Sequence, residues 1–94
     1  MSTNEKEQIK QKLLELIAFR TDEPITLESS LSNHLDMDSL EQLDFICSVE
    51  FEFKIDIDTD EWEVLRDEKS HDIIVQDVCD FIIGIIEKQK ETGQ

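Results

Sequence analysis

The chain has 94 residues and a mass of 11.0 kDa, a size that accommodates one domain, residues 1–94, and leaves no room for a second core. About a third of the residues are Leu, Ile, Val or Phe, which is enough for a folded core despite the high charge. Asp and Glu outnumber Lys and Arg by 24 to 9, and the net charge of −15 argues against binding to nucleic acid or anionic membranes and favours basic protein partners.

The two cysteines and the apolar segments indicate the compartment. Cys47 and Cys79 form neither a C-x-x-C pair nor a disulfide framework, which is typical of a reducing environment for so small a domain. The N-terminal residues have no apolar signal core, and the longest near-apolar run, Phe81 to Ile86, is too short to span a bilayer. We therefore expect a cytoplasmic protein without membrane insertion.

The first helix is predicted to begin near Asn4, which together with Glu7 forms a capping box. It is predicted to end at Thr21–Pro24. Its apolar stripe consists of Ile9, Leu13, Leu16 and Ile17, with Leu14 and Phe19 at the edge. From Ile25 to Met37 the apolar residues follow no steady period, which predicts a long loop of a kind that is often functional. Four aliphatic side chains are expected to hold this loop on the core: Ile25, Leu27, Leu31 and Leu35.

The second helix is predicted from Asp38 to about Phe53, with Asp38 as N-cap and Glu41 at the third helical position completing a capping box. Two apolar stripes lie on roughly opposite faces of this helix. The face expected in the core carries Phe45, Ile46, Val49 and Phe53, and the other face carries Leu40, Leu43, Cys47 and Phe51. A helix of a small bundle needs one apolar stripe for the core, so the second stripe needs a partner, either a neighbouring helix or another protein.

The rest of the chain predicts two further helices. Ile55–Asp58 alternates and suggests a short extended piece, Asp60–Leu65 a short helix, and Arg66–Asp72 a charged loop. The last helix is predicted over about Ile74 to Gln89, although part of it also suits a strand. Its apolar stripe consists of Val75, Val78, Cys79, Ile82 and Ile86, widened by Phe81 and Ile85. The predicted fold is all-α: a small antiparallel four-helix bundle of three long helices and one short helix, with a long loop between helices 1 and 2.

Acidic residues are concentrated between Thr21 and Phe53, a segment with no Lys or Arg. The acids are Asp22, Glu23, Glu28, Asp36, Asp38, Glu41, Asp44, Glu50 and Glu52. Such a run is usually only a solvated face. Here some of these acids flank the second apolar stripe, and this combination suits docking of a basic partner, because charge speeds the encounter and the apolar centre supplies the contact.

At the head of the second helix stands Asp38-Ser39-Leu40. An isolated D-S-L-E is in most cases only a helix N-terminus. In this chain it lies between the long loop and the acidic helix, and that order of features resembles the acyl carrier protein family. The resemblance covers most of the chain: the amphipathic first helix, the loop, L-D-M-D-S-L, the helix ending in E-F-K-I-D-I, and I-V-Q-D-V-C-D-F-I in the last helix.

The resemblance implies a non-catalytic carrier that holds acyl groups as thioesters for fatty acid, lipid or specialised acyl biosynthesis. A phosphopantetheinyl transferase using coenzyme A and magnesium would attach 4′-phosphopantetheine to Ser39, and Asp38 would serve as helix cap and as part of the motif. The acyl chain would enter the interior beside Phe45, Ile46, Val49 and Ile82. The partners implied are acyl-transferring, synthase or ligase enzymes with basic docking surfaces, and the carrier would be a monomer. The residues that match partner-docking positions are Leu40, Glu41, Leu43, Asp44, Cys47 and Glu50.

Four features depart from the family pattern. Asp36 stands where the family usually has Gly, Asp58 where Pro is common, and Phe51 where an acid is common. The segment from Asp58 to Val75, which contains Trp62, is longer than usual. These departures favour a dedicated carrier of one specialised pathway at least as much as a housekeeping role.

The alternative function is an acidic protein-interaction or divalent-cation module without a prosthetic group. Asp56, Asp58 and Asp60, with Asp67 at the twelfth position, partly match an EF-hand loop, but Glu61 stands where the loop needs Gly. A zinc site could be imagined from Cys47, Cys79, His34 and His71. Their spacing matches no compact zinc motif, and both cysteines are expected to pack in the core, so no metal site is predicted.

Overall fold

Four α-helices follow one another along the part of the chain that the structure describes. The structure, a computed structural model, describes residues 3–70 and 72–93, with side chains as far as residue 89. α1 spans Thr3–Ala18, α2 Ser39–Phe53, α3 Thr59–Glu68 and α4 Val75–Gly93. No strand occurs among the described residues, although an isolated antiparallel β-bridge pairs Ser30 with Ile74. The all-α class is therefore confirmed, and the Ile-rich run of α4 is helical.

α1 differs from its predicted boundaries at both ends. The helix begins at Thr3, so Asn4 lies within its first turn and the predicted cap at Asn4 is wrong. It ends at Ala18, where the Arg20 N–H donates to the carbonyl of Ile17 (2.9 Å) and tightens the last turn. Phe19 therefore leaves the apolar stripe and is 93% exposed. The buried residues of α1 are Ile9, Leu13 and Ile17.

α2 has the predicted boundaries and cap. The Asp38 carboxylate accepts a hydrogen bond from the Glu41 N–H at 2.8 Å, which satisfies one of the free donors of the first turn. At the other end Lys54 adopts a left-handed conformation (φ 56°) and its N–H donates to Glu50. The predicted core face is also confirmed, since Phe45, Ile46 and Val49 are buried and Phe53 is half-buried.

α3 is longer than the predicted Asp60–Leu65. Asp58 caps it by accepting from the Asp60 N–H at 2.9 Å. Trp62 is fully buried, and its ring centroid lies 5.6 Å from that of Phe81 on α4. The α3 segment thus adds an aromatic contact to the core, whereas Phe51 on α2 stays 85% exposed.

α4 completes the core, and α1 packs against both α2 and α4. Up to residue 89, where the described side chains end, five residues of α4 are buried: Val75, Val78, Cys79, Ile82 and Ile83. The Cα radius of gyration is 12.7 Å, close to the ~12 Å of a well-packed chain of this length. None of the helices in the described residues combines the length and apolar character that crossing a bilayer requires.

Residues 19–38 connect α1 to α2 and are fixed to the start of α4. The Leu31 N–H donates to the carbonyl of Ile73 (2.9 Å), and the Val75 N–H donates to that of Ser29 (3.0 Å). The Ser30 hydroxyl lies 2.6 Å from the Asp72 carboxylate. Of the four aliphatic side chains expected on the core, Leu31 and Leu35 are buried, and Ile25 and Leu27 are half-buried. These contacts hold the segment that leads into α2.

Candidate functional site

Ser39 is the first residue of α2, and its side chain is exposed, as is that of the capping residue Asp38. The first turn of a helix has backbone N–H groups without helical partners, and the positive end of the helix dipole lies there. Both features favour a negatively charged group such as a phosphodiester. The hydroxyl of Ser39 is thus accessible to another enzyme and suitably placed to carry a phosphate ester.

Two hydrogen bonds fix the backbone at Met37, two residues before Ser39. Met37 is buried; its N–H donates to the carbonyl of Leu31 (2.8 Å), and its carbonyl accepts from Nε2 of Gln42 (2.9 Å). Asp36 has a positive φ of 59°, a conformation that glycine adopts most readily. Asp36 therefore holds, despite its side chain, a left-handed backbone that a glycine would adopt without strain.

The second apolar stripe of α2 is largely open. Leu40 is 78% and Phe51 is 85% exposed, and Cys47 is also exposed. Leu43 is half-buried and packs against the core. The expectation that Cys47 packs in the core is wrong, because it lies on the face of α2 that no described element covers.

Arg20 partly neutralises the acidic face of α2. Its Nη1 lies 2.8 Å from the Asp44 carboxylate and 3.5 Å from that of Glu41, and its Nη2 donates to the Ser48 hydroxyl at 2.9 Å. The arginine side chain is only 19% exposed, whereas Asp44 remains 71% exposed. The acidic segment contains no Lys or Arg, but Arg20, which precedes it, folds back onto α2.

Glu50 contributes to the fold as well as to the predicted docking face. Its side chain is half-buried, and the carboxylate accepts a hydrogen bond from the Ile57 N–H at 2.7 Å. This contact holds the chain between α2 and α3. The docking role of Glu50 stays a prediction, and the carboxylate is less free for it than that of Asp44.

A cleft of about 370 Å³ lies beside the other end of α2, where Phe53, Ile9 and Ile86 line it. Phe53 follows Ser39 by fourteen residues, which corresponds to about 21 Å along the helix. The cleft therefore lies apart from Ser39. The residues expected to line an acyl chain, Phe45, Ile46, Val49 and Ile82, are all buried.

Two of the side chains considered as metal ligands make hydrogen bonds within the fold. Asp58 caps α3, and Nδ1 of His34 accepts a hydrogen bond from the Ser30 N–H at 2.8 Å. Among the described residues, no group of three or more His, Cys, Asp or Glu side chains could hold a metal ion. His71 lies outside the described residues.

The second cysteine has a different environment from Cys47. Cys79 is fully buried on α4, and burial raises the pKa of its thiol, an effect that Lys10 opposes and Asp80 reinforces. A buried thiol of raised pKa is a poor nucleophile. Cys79 therefore serves in packing, as the sequence predicts.

Comparisons with known proteins found no match: neither a protein-family model, nor a curated protein, nor a solved structure matches this chain. The resemblance to acyl carrier proteins accordingly rests on the motif and the order of elements.

Sequence reasoning missed three residues of the site: Arg20, Met37 and Gln42. Gln42 precedes Phe45 and Ile46 at helical spacing, so its position on the core face of α2 was readable from the pattern. Arg20 contacts residues that are distant in the sequence, and the contacts of Met37 depend on the turn before α2. No local sequence signal indicates either.

Proposed function

We propose that this protein is an acyl carrier whose 4′-phosphopantetheine arm is attached to Ser39. The observation that carries the proposal is the exposed Ser39 at the first position of α2, beside an apolar stripe flanked by acids. A serine that another enzyme modifies needs accessibility and a well-held backbone, and both are present. The antiparallel bundle arrangement and an interior that admits the acyl chain are part of this proposal.

The residues present fit the prosthetic group. In the attachment step the Ser39 oxygen forms a bond to phosphorus, adenosine 3′,5′-bisphosphate leaves from coenzyme A with the electrons of the broken P–O bond, and the serine proton passes to the transferase. The first turn of α2 then stabilises the phosphodiester charge. When bound, the group supplies a thiol on which acyl groups are held as thioesters.

The exposed stripe and its acids form the proposed docking surface for partner enzymes. Leu40, Cys47 and Phe51 supply apolar area, and Asp44 supplies an exposed charge beside it. A basic enzyme surface would be steered to this face and would compete with Arg20 for the Asp44 carboxylate. The partners proposed are the transferase and enzymes that load, extend or remove the acyl group.

Incubation of the purified chain with coenzyme A, magnesium and a phosphopantetheinyl transferase tests the proposal. Intact mass should increase by one phosphopantetheine group in the wild type and should not change in Ser39→Ala. Ser48→Ala is a matched control on the same helix and should still be modified. Circular dichroism should show that both variants stay folded. Modification of Ser39→Ala, or none of the wild type with several transferases, would contradict the proposal.

The exposed stripe equally supports a second candidate, an acidic interaction module without a prosthetic group. Both candidates predict binding of basic partners by α2, so binding alone does not separate them. Only the carrier predicts that activity in its pathway is lost in Ser39→Ala while partner binding to the unmodified chain is retained.

A further inference from the structure

Gln42 carries a buried oxygen that has no hydrogen-bond partner. The residue is 5% exposed, and among the described residues its Oε1 is one of three buried, unpartnered side-chain atoms. The other two, Trp62 Nε1 and Arg66 Nε, belong to α3. A buried acceptor that has lost water without gaining a donor is unfavourable, so such atoms in a folded protein call for a physical reason.

The orientation of the Gln42 amide follows from the hydrogen bond that its nitrogen makes. Nε2 donates to the carbonyl of Met37 at 2.9 Å. The reversed amide would bring two oxygens together, so the free end is the oxygen. Met37 precedes Ser39 by two residues and Gln42 follows it by three, so the amide lies against the segment that leads into Ser39. The Cβ atoms of residues three apart on a helix are separated by about 5–6 Å.

We propose that Oε1 of Gln42 accepts a hydrogen bond from an O–H or N–H donor of the group that Ser39 carries. This inference rests on the proposed function. Two sources offer that chemistry: the hydroxyl and amide N–H groups of the pantetheine arm, and a hydroxyl on the acyl group. A saturated acyl chain has no donor, so in the second case the carrier prefers hydroxylated acyl groups.

The surroundings of Gln42 favour a carried donor over a buried water. Gln42 begins the core face of α2 and is followed on it by the buried Phe45 and Ile46. A buried water needs two to four polar partners, and the next residues on this face of α2 offer only apolar side chains. A donor attached to Ser39 is held close by its covalent link and therefore acts at a high effective concentration.

Thermal unfolding of four forms of the chain tests the proposal. The forms are the unmodified chain, the arm-bearing chain, and the chain loaded with a saturated acyl group or with its 3-hydroxy analogue of equal length. Each is prepared as the wild type and as Gln42→Met, which keeps an unbranched side chain of similar length but no carbonyl oxygen. Intact mass confirms attachment and loading before each measurement. If the arm does not attach to Ser39, the result contradicts the proposed function and does not bear on the role of Gln42.

The two possible sources of the donor, the arm and the acyl hydroxyl, predict different changes in Tm. If the arm supplies the donor, its attachment raises the Tm of the wild type by about 4–8 °C more than that of Gln42→Met, and the acyl group makes no difference. If the acyl hydroxyl supplies it, the 3-hydroxyacyl form of the wild type melts about 4–8 °C above the saturated form, and Gln42→Met loses this difference. Equal shifts in both proteins for every form would overturn the proposal.

A spectroscopic measurement on the wild type covers the case in which Gln42→Met does not fold. The side-chain amide resonances of Gln42 in ¹⁵N-labelled protein should shift on attachment of the arm or on loading with the hydroxylated group. The resonances of Gln76, which bonds Asp80 on the exposed side of α4, should stay unchanged. Gln42 resonances that stay unchanged in all four forms would overturn the proposal.

Discussion

Single residues determine how Ser39 is presented. The capping role of Asp38 could be predicted because it depends on residues within one turn, and the structure confirms it. The cap predicted at Asn4 is wrong because the same residue types also suit the first turn itself. The positive φ of Asp36 could not be predicted, since Asp adopts several turn conformations and only the surrounding contacts select one.

The left-handed backbone at Asp36 predicts different stabilities for two substitutions. Asp36→Gly and Asp36→Ala both remove the carboxylate, but only alanine keeps a Cβ in a conformation that disfavours it. The glycine variant should therefore be more stable than the alanine variant by about 1 kcal/mol. Chemical denaturation of the two variants measures the difference. An alanine variant as stable as the glycine variant would show that the backbone is not left-handed at this position.

At the scale of one element, α2 shows what a periodic apolar pattern predicts and what it leaves undetermined. Its boundaries and core face were predictable because apolar residues at helical spacing form a stripe on one side of the helix, and that side packs against the core. The same pattern predicts a second stripe but cannot say whether a neighbour covers it. The structure leaves Leu40 and Phe51 open and buries Leu43 partly, because Leu43 lies nearer the core face.

This graded exposure predicts graded costs of truncation. Leu43→Ala should destabilise the chain by about 1–2 kcal/mol, less than the ~2–5 kcal/mol of a fully buried leucine. Leu40→Ala, a matched change on the same stripe, should stay within about 0.5 kcal/mol of the wild type. Urea unfolding of both variants measures these costs. A large loss in Leu40→Ala would mean that the stripe belongs to the core and does not form a docking surface.

At the scale of the whole molecule, contacts between distant segments escaped prediction. The bridge from Ser30 to Ile74 and the reach of Arg20 to Asp44 join residues that are far apart in sequence, and neither end carries a local signal. Composition predicted the excess of acid but not its partial neutralisation by Arg20, which follows α1, and by Lys12 of α1, whose Nζ lies 3.3 Å from the Glu52 carboxylate. The four helices and their compact arrangement were predictable from the sequence. The hydrogen bonds and ion pairs that join distant segments were not.

A net charge of −15 predicts that salt stabilises the fold. Repulsion among the acids acts over about 8 Å at physiological ionic strength, and the exposed ion pairs that salt weakens contribute at most about 1 kcal/mol each. Raising sodium chloride from low to physiological concentration should increase the Tm by about 4–8 °C, and millimolar magnesium should increase it further at matched ionic strength.

Glu28→Lys is the control for this charge effect. It reduces the net negative charge by two units, from −15, at an exposed position of the loop, so its Tm should depend less on salt than that of the wild type. Calorimetric scans of both proteins at three salt concentrations make the comparison. A wild-type Tm that is independent of salt would contradict the account of repulsion among the acids.

The mass of the protein isolated from the cells that naturally make it tests the central claim most directly. The carrier account predicts a mass that exceeds the sequence mass by one phosphopantetheine group, with the modification on the peptide that contains Ser39. Treatment with hydroxylamine, which cleaves thioesters, should release any acyl group and leave the arm in place. Protein whose Ser39 peptide is unmodified in growing and in resting cells would contradict the claim.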